Sequence, residues 1–302
     1  MSAITFLRRA STALALALAG AAASAAPAPT STHETFRDMS VDVAGNGRAV
    51  LLIPGLNSAA STWTATCAAL QPVQCHVVQL PGFVGLPAVP SAHWLEDMRD
   101  RLLAYVDARH LGPVVVVGHS LGGELALMMA IKSPASVSRL VIVDSLPFLG
   151  AVRDPSATPE STRAMAEQMR AQMAGATRAQ VEASVRPMAR GMAQAPADVD
   201  RLVAWSLASD RGTSAQAWYE LWTTDLRADI AAIRCPTLVL GSWAAYAPMG
   251  ATEDSTRSIF AAQYAALPGA RIHMSKAGYH FLMWDDPAWF VDEVRAALRD
   301  GA

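Results

Sequence analysis

Cysteine and charge are what this 302-residue chain has least of: it carries 3 Cys, and charged residues make up only 17% of it. Three cysteines are too few for a disulfide-built scaffold, and no Cys/His group has the spacing of zinc ligands, so a small core held by bridges or structural metal is excluded. The charge is also balanced, 24 Lys plus Arg against 26 Asp plus Glu, for a formal net of −2. Without a basic excess the chain has no electrostatic hold on a polyanion, which argues against nucleic acid as a partner. Internal repeats are lacking too. What fills the composition is apolar: 52% hydrophobic residues and a mean hydropathy of +0.22. That excludes disorder as the main state and puts the burden of stability on an apolar core. The length suits one large α/β domain with an insertion, or two small domains.

Part of the apolar excess lies at the start. Arg8 and Arg9 precede an Ala/Leu run from Ala10 to Ala23, and Ala23-Ser24-Ala25 supplies small residues, the three-part layout of a secretory leader. Residues 1–25 are therefore expected to be a signal peptide cleaved after Ala25, giving an exported, periplasmic or secreted product. The run is too short and alanine-rich for a stable membrane anchor. The arginine pair is a weak hint of twin-arginine export, and losing it leaves the mature chain mildly acidic. In an oxidising compartment Cys67 and Cys75 could pair, leaving Cys235 over; spacing alone leaves three reduced thiols equally open.

After a polar, proline-containing linker at 26–44, short β-branched runs alternate with helical patterns, as in a mostly parallel sheet with helices on both faces. Strands are expected at Ala49–Ile53, Cys75–Leu80, Val114–Gly118, Leu140–Val143, Thr237–Leu240 and Ala270–Met274. Helices are expected at Ser61–Leu70, Ala92–Arg109, Leu121–Lys132, Ser255–Ala266 and Pro287–Leu298. Residues 151–231 break the rhythm with helical segments alone, at Ser161–Ala174, Arg178–Met192, Ala197–Ser209 and Ser214–Asp225. This divides the chain into an α/β core, 45–150 and 232–300, and a helical cap at 151–231.

The stretch Val114-Val115-Val116-Val117-Gly118-His119-Ser120-Leu121-Gly122-Gly123 runs from a buried strand through Gly-x-Ser-x-Gly into an apolar helix. So tight a turn admits only glycine at Gly118 and Gly122 and lifts the Ser120 hydroxyl above the sheet edge. A phosphate loop would want Lys after the glycines, where Glu124 stands nearby. The segment resembles the nucleophile elbow of the α/β-hydrolase superfamily. Three more stretches are similar to its landmarks in the same order: Leu51-Leu52-Ile53-Pro54-Gly55-Leu56 with Trp63, Leu80-Pro81-Gly82-Phe83, and Cys235-Pro236-Thr237-Leu238-Val239-Leu240-Gly241. The resemblance spans about residues 45–300 and implies the α/β-hydrolase fold. One departure is Pro54, where the family most often has His before the glycine.

A serine hydroxyl needs a base with a pKa near neutrality. His280, in Ala277-Gly278-Tyr279-His280-Phe281 after the last strand, resembles the family's catalytic histidine. His33 falls in the linker, His119 is expected to point away as the second residue of the elbow, and His76, His93, His110 and His273 read as structural. The oxyanion hole is expected from the backbone amides of Leu121 and Leu56. The family's usual acid follows the strand at Thr237–Leu240, but Gly241-Ser242-Trp243-Ala244-Ala245-Tyr246-Ala247 has no carboxylate. Asp144, at the carboxyl end of the strand after the nucleophile's, is the expected acid, as in a minority of the superfamily. Glu253, Asp254, or a dyad aided by water or backbone remain alternatives, and Asp144 also reads as a simple turn cap.

Trp205, Trp218 and Trp222, the Met165, Met169 and Met173 stripe, and Trp243 with Tyr246 suggest an apolar pocket, although the stripe also reads as a packing face. The whole implies an exported serine hydrolase that cleaves small acyl or aromatic esters, or lactones, and uses no cofactor or metal. A cofactor-free haloperoxidase or perhydrolase, a C–C bond hydrolase, or a non-catalytic binding protein of the same fold remain open. Epoxide hydrolase and dehalogenase relatives carry Asp where this chain has Ser120.

Overall fold

The computed structural model describes residues 31–299. The expected leader, 1–25, and the first part of the expected linker lie outside them. The rest of that linker is not a linker: Ser31–Phe36 (β1) and Met39–Gly45 (β2) form an antiparallel hairpin. Its turn places both Arg37 and Asp38 at positive φ, 46° and 67°, as a two-residue hairpin turn requires. The sequence hid this because β1 is a polar edge strand largely open to solvent, and its turn lacks the usual Asn-Gly or Asp-Gly pair.

The remaining strands are β3 (Arg48–Ile53), β4 (Val73–Gln79), β5 (Val114–His119), β6 (Val137–Val143), β7 (Thr237–Gly241) and β8 (Arg271–Met274). The eight-stranded sheet runs β1-β2-β4-β3-β5-β6-β7-β8, parallel from β4 to β8 with β2 antiparallel on β4. Strand residues alternate between two cores. Leu51, Ile53, Val114, Val116, Leu140, Ile142 and Val239 face one; Val50, Leu52, Val115, Val117, Val141, Val143, Leu238 and Leu240 face the other. A strand buried on both faces has no polar side to show, hence the unbroken valine run of β5.

Helices α1 (Thr64–Leu70), α2 (Trp94–Ala108) and α3 (Leu121–Lys132) belong to the first half of the sheet. Cys67 on α1 is disulfide-bonded to Cys75 on β4, their Cα atoms 6.1 Å apart, and Cys235 is free. Between β6 and β7 lie only helices: α4 (Pro159–Gly175), α5 (Arg178–Arg190), α6 (Pro196–Ala208) and α7 (Arg211–Thr223), besides single 3-10 turns. This insertion is tied down by buried polar contacts. The Glu220 carboxylate accepts from the Trp94 and Leu95 amides at the start of α2, both at 2.7 Å, and the Ser214 hydroxyl donates to Asn57 at 2.6 Å. Helices α8 (Glu253–Gln263), α9 (Leu282–Asp285) and α10 (Pro287–Arg299) complete the fold. No helix among the described residues is long and apolar enough to cross a membrane.

Glu124, in the first turn of α3, is 1% exposed, and its Oε1 has no hydrogen-bond partner. Burial, and secondarily the Glu220 charge, hold its carboxyl well above the ordinary range, so the folded protein keeps the proton that the unfolded chain releases. The stability this proton carries is complete below the ordinary carboxyl pKa and is lost as pH rises above it. Glu124→Gln is therefore expected to match the parent near pH 4.5 and gain on it by about 1.4 kcal/mol per pH unit until the folded carboxyl ionises. Urea unfolding at several pH values measures this; a constant difference across pH would contradict it.

Candidate active site

The order of strands reverses around β3, which has β4 on one side and β5 on the other. Loops leaving β3 and β5 therefore diverge at the carboxyl edge and open a crevice between them. Pro54-Gly55-Leu56 and the turn at Ser120 enter that crevice. A Cβ on Gly55 would lie 3.1 Å from both Ser120 Cβ and His119 Nδ1, so the two segments run against each other.

Ser120 adopts φ 54° and ψ −122°, a costly conformation for a residue with a side chain. Its amide donates to the Val143 carbonyl at 2.9 Å, and the close packing of strand and helix enforces the turn. A Cβ on Gly118 would sit 2.1 Å from the Gly122 carbonyl oxygen; one on Gly122 would sit 2.3 Å from that of Ile53 and 2.6 Å from that of Pro54. These obstacles are backbone and cannot rotate away. Gly122→Ala is expected to cost about 3 kcal/mol, read as a lower urea midpoint; an unchanged midpoint would mean that α3 shifts freely. Leu121 opens α3, so its amide is among those a helix leaves without an internal acceptor.

Asp144, just past β6, sits at φ 44°, with its amide donating to the Leu240 carbonyl at 2.7 Å. The His280 ring faces it: Nδ1 is 2.7 Å from Asp144 Oδ2, with the two side chains 16% and 9% exposed. A carboxylate can only accept, so Nδ1 carries the proton and Nε2 is the ring's free acceptor. The loop bearing His280 is braced on several sides. The Ser275 hydroxyl donates to Asp286 at 2.7 Å and accepts from the Gly278 amide at 2.8 Å; the Tyr279 amide donates to Asp285 at 3.0 Å.

His119 does not point away. It is fully buried, its ring centroid 4.5 Å from that of His280, and its Nε2 donates to the His280 carbonyl at 3.0 Å. Burial and the neighbouring imidazole push its pKa well below the ordinary histidine value, so it stays neutral and anchors the backbone beneath His280. Three of the other five histidines have local side-chain partners: His33 pairs with Asp42, His76 with Tyr105 and His273 with Glu293.

Of the candidate carboxylates, only Asp144 is hydrogen-bonded to His280 among the described residues. Glu253 pairs with Arg257 one turn along α8, and Asp254 stands in the first turn of that helix, capped by Thr252. The loop after β7 has no carboxylate, but its Ser242 reaches Asp144: the Ser242 amide and hydroxyl both donate to it, at 2.8 and 2.9 Å. The signal available was a hydroxyl at the end of a strand neighbouring that of Asp144.

A cavity of about 550 Å³ reaches from Asn57, next to Leu56, into the insertion, where Met169, Met173, Val181 and Val185 line it with Gln172 and Arg211. The expected tryptophans divide. Trp218, Trp222 and Trp243 pack on the core, Trp205 meets the Trp284 ring at 5.7 Å, and Met165 and Tyr246 are exposed. No cluster of three or more metal-ligating side chains occurs among the described residues. Chemically, the arrangement offers a hydroxyl on a strained turn, an imidazole oriented by a carboxylate, and a helix-start amide.

Comparisons with known proteins agree with this architecture. The sequence profile of the Alpha/beta hydrolase family matches residues 50–293. A pimeloyl-[acyl-carrier protein] methyl ester esterase of Vibrio atlanticus is 35% identical over 132 residues, 42% of this chain and 49% of that protein. The chain thus spans about half the length of that curated relative. Among solved structures, a hydrolase from Pseudomonas aeruginosa superposes with TM-score 0.72 at 21% identity, over 90% of this chain and 98% of that one. The enol-lactonase from Burkholderia xenovorans gives 0.69 at 17% identity, over 88% and 99%. At such identities the two structures speak to the fold alone.

Proposed function

Because the chain belongs to the alpha/beta hydrolase family, we propose that it is a serine hydrolase cleaving carboxylic esters, with Ser120 as nucleophile, His280 as base and Asp144 as acid. The observation that carries this reading is the 2.7 Å contact between His280 Nδ1 and Asp144 Oδ2 beside the strained serine. Ser120 Oγ attacks the ester carbonyl while His280 Nε2 takes its proton. The Leu56 and Leu121 amides receive the negative charge that develops on the carbonyl oxygen. The C–O bond then breaks, and the leaving alcohol takes the proton from His280. Water attacks the acyl-enzyme with His280 again as base, releasing the acid and restoring Ser120. Asp144 stabilises the imidazolium in both halves without being protonated itself.

The cavity that starts at Asn57, the residue after Leu56, supports an apolar acyl or aromatic group on the substrate, because Met169, Met173, Val181 and Val185 line it; Ser120 and His280 are not among its lining residues. The same reading has the protein exported, supported by the leader-like start and by the Cys67–Cys75 bridge, a bond that persists in oxidising compartments.

A panel of short- and medium-chain aryl esters, aliphatic esters, lactones and amides, incubated with the mature protein, tests the proposal. Saturable turnover of esters is expected, with medium acyl chains outperforming acetyl. Turnover of none of these, or of amides alone, would overturn it.

A further inference from the structure

Asp144 is held from more than one side, and the second holder has no place in the reaction as drawn. Ser242 follows the last residue of β7 and is 2% exposed. Its amide donates to Asp144 Oδ1 at 2.8 Å and its hydroxyl to Oδ2 at 2.9 Å. Oδ2 is the same oxygen that accepts from His280 Nδ1 at 2.7 Å. Ser242 is itself fixed by strand pairing on both sides: the Asp144 amide donates to Leu240 at 2.7 Å, and the Ser275 amide to Gly241 at 2.9 Å.

We infer that Ser242 is a positioning residue for Asp144, holding one carboxylate rotamer and sharing the charge of the oxygen that faces His280. The inference rests on the triad reading above. Two donors fork onto the carboxylate from a single residue, so its plane is fixed against rotation. The hydroxyl also competes with His280 Nδ1 for the electron density of Oδ2, which moderates the pull of the carboxylate on the imidazolium.

Ser242→Ala removes the hydroxyl and keeps the amide. With one donor gone, Oδ2 draws harder on Nδ1–H, so the His280 Nδ1 proton resonance is expected to move downfield. The acid limb of kcat/KM is expected to move to higher pH, because the imidazolium is held more strongly. Loss of alignment is expected to lower kcat about tenfold with KM little changed. The titratable groups around this pair are His119, Tyr246, Tyr264, Glu124 and Asp285. Burial favours the neutral form of each, and Ser242→Ala replaces none of them.

The deciding comparison is a cycle with Asp144→Asn. If Ser242 acts through the carboxylate, Ser242→Ala changes kcat less than twofold once Asp144 is Asn; an equal tenfold loss in both backgrounds would make its role general to the fold and overturn the proposal. An unmoved Nδ1 resonance together with an unmoved acid limb would overturn it too. The resonance needs no turnover, so it decides the role of Ser242 even if no ester is cleaved, an outcome that would sink the esterase reading separately.

Discussion

Replacing Ser120 by alanine is expected to lower kcat on a good aryl ester by about 10⁵- to 10⁶-fold while leaving the fold intact. The size follows from the division of labour at the site. Without Oγ no acyl-enzyme forms, and the imidazole can at best activate a water held by nothing specific. What survives is the contribution of the oxyanion amides and of binding, which belong to Leu56, Leu121 and the cavity rather than to the serine side chain. The backbone strain at φ 54° is imposed by glycine packing around the turn, not by the hydroxyl. The Ser120→Ala variant should inherit that strain, with a urea midpoint within experimental scatter of the parent. A variant that keeps more than a hundredth of the parental kcat would mean that the hydrolytic group lies elsewhere.

Asp144→Asn is expected to cost about 10³- to 10⁴-fold in kcat with little change in KM. Here the physics is tautomeric. The carboxylate accepts from Nδ1 and so leaves Nε2 bare to take the serine proton. Ser242 donates its amide to Oδ1, which keeps the asparagine oxygen on that side and turns the Nδ2 amino group toward His280. An amino group donates, so Nδ1 would have to accept and Nε2 would carry the proton, the wrong tautomer for a base. Raising the pH does not repair this, since deprotonating the ring is not what is missing. Glu253→Gln and Asp254→Asn serve as companions: neither carboxylate meets His280, so each should stay within threefold of the parent. Steady-state kinetics on the four proteins separates the possibilities, and near-normal turnover in Asp144→Asn would remove it from the mechanism.

The sequence carried the fold well where burial on both faces writes itself as an uninterrupted apolar strand, as in Val114–Val117 of β5. It carried the elbow because backbone obstacles leave only glycine at Gly118 and Gly122. It failed at Ser31–Gly45, where β1 is a polar, exposed edge strand, β2 buries only its first residues, Met39 to Val41, and no Asn-Gly turn announces the hairpin. At the site, Ser120 and His280 are marked by their local surroundings, strand–turn–helix for one and a glycine-containing loop after the last strand for the other. Asp144 was legible as the expected acid from its place at the carboxyl end of β6, with Glu253, Asp254 and a dyad left as alternatives. Its pairing with His280 spans 136 residues of chain and joins the loops that leave β6 and β8, two strands with β7 between them. Ser242 and His119 were missed for a related reason: their contributions are hydrogen bonds to another residue's carboxylate and carbonyl, and neither leaves a local pattern.

The most direct test is intact-mass spectrometry of the folded protein after exposure to a fluorophosphonate, followed by peptide mapping. A single covalent adduct on Ser120 is expected, absent in Ser120→Ala and formed far more slowly in Asp144→Asn. No adduct on the wild-type protein, or an adduct on another residue that persists in Ser120→Ala, would contradict the account.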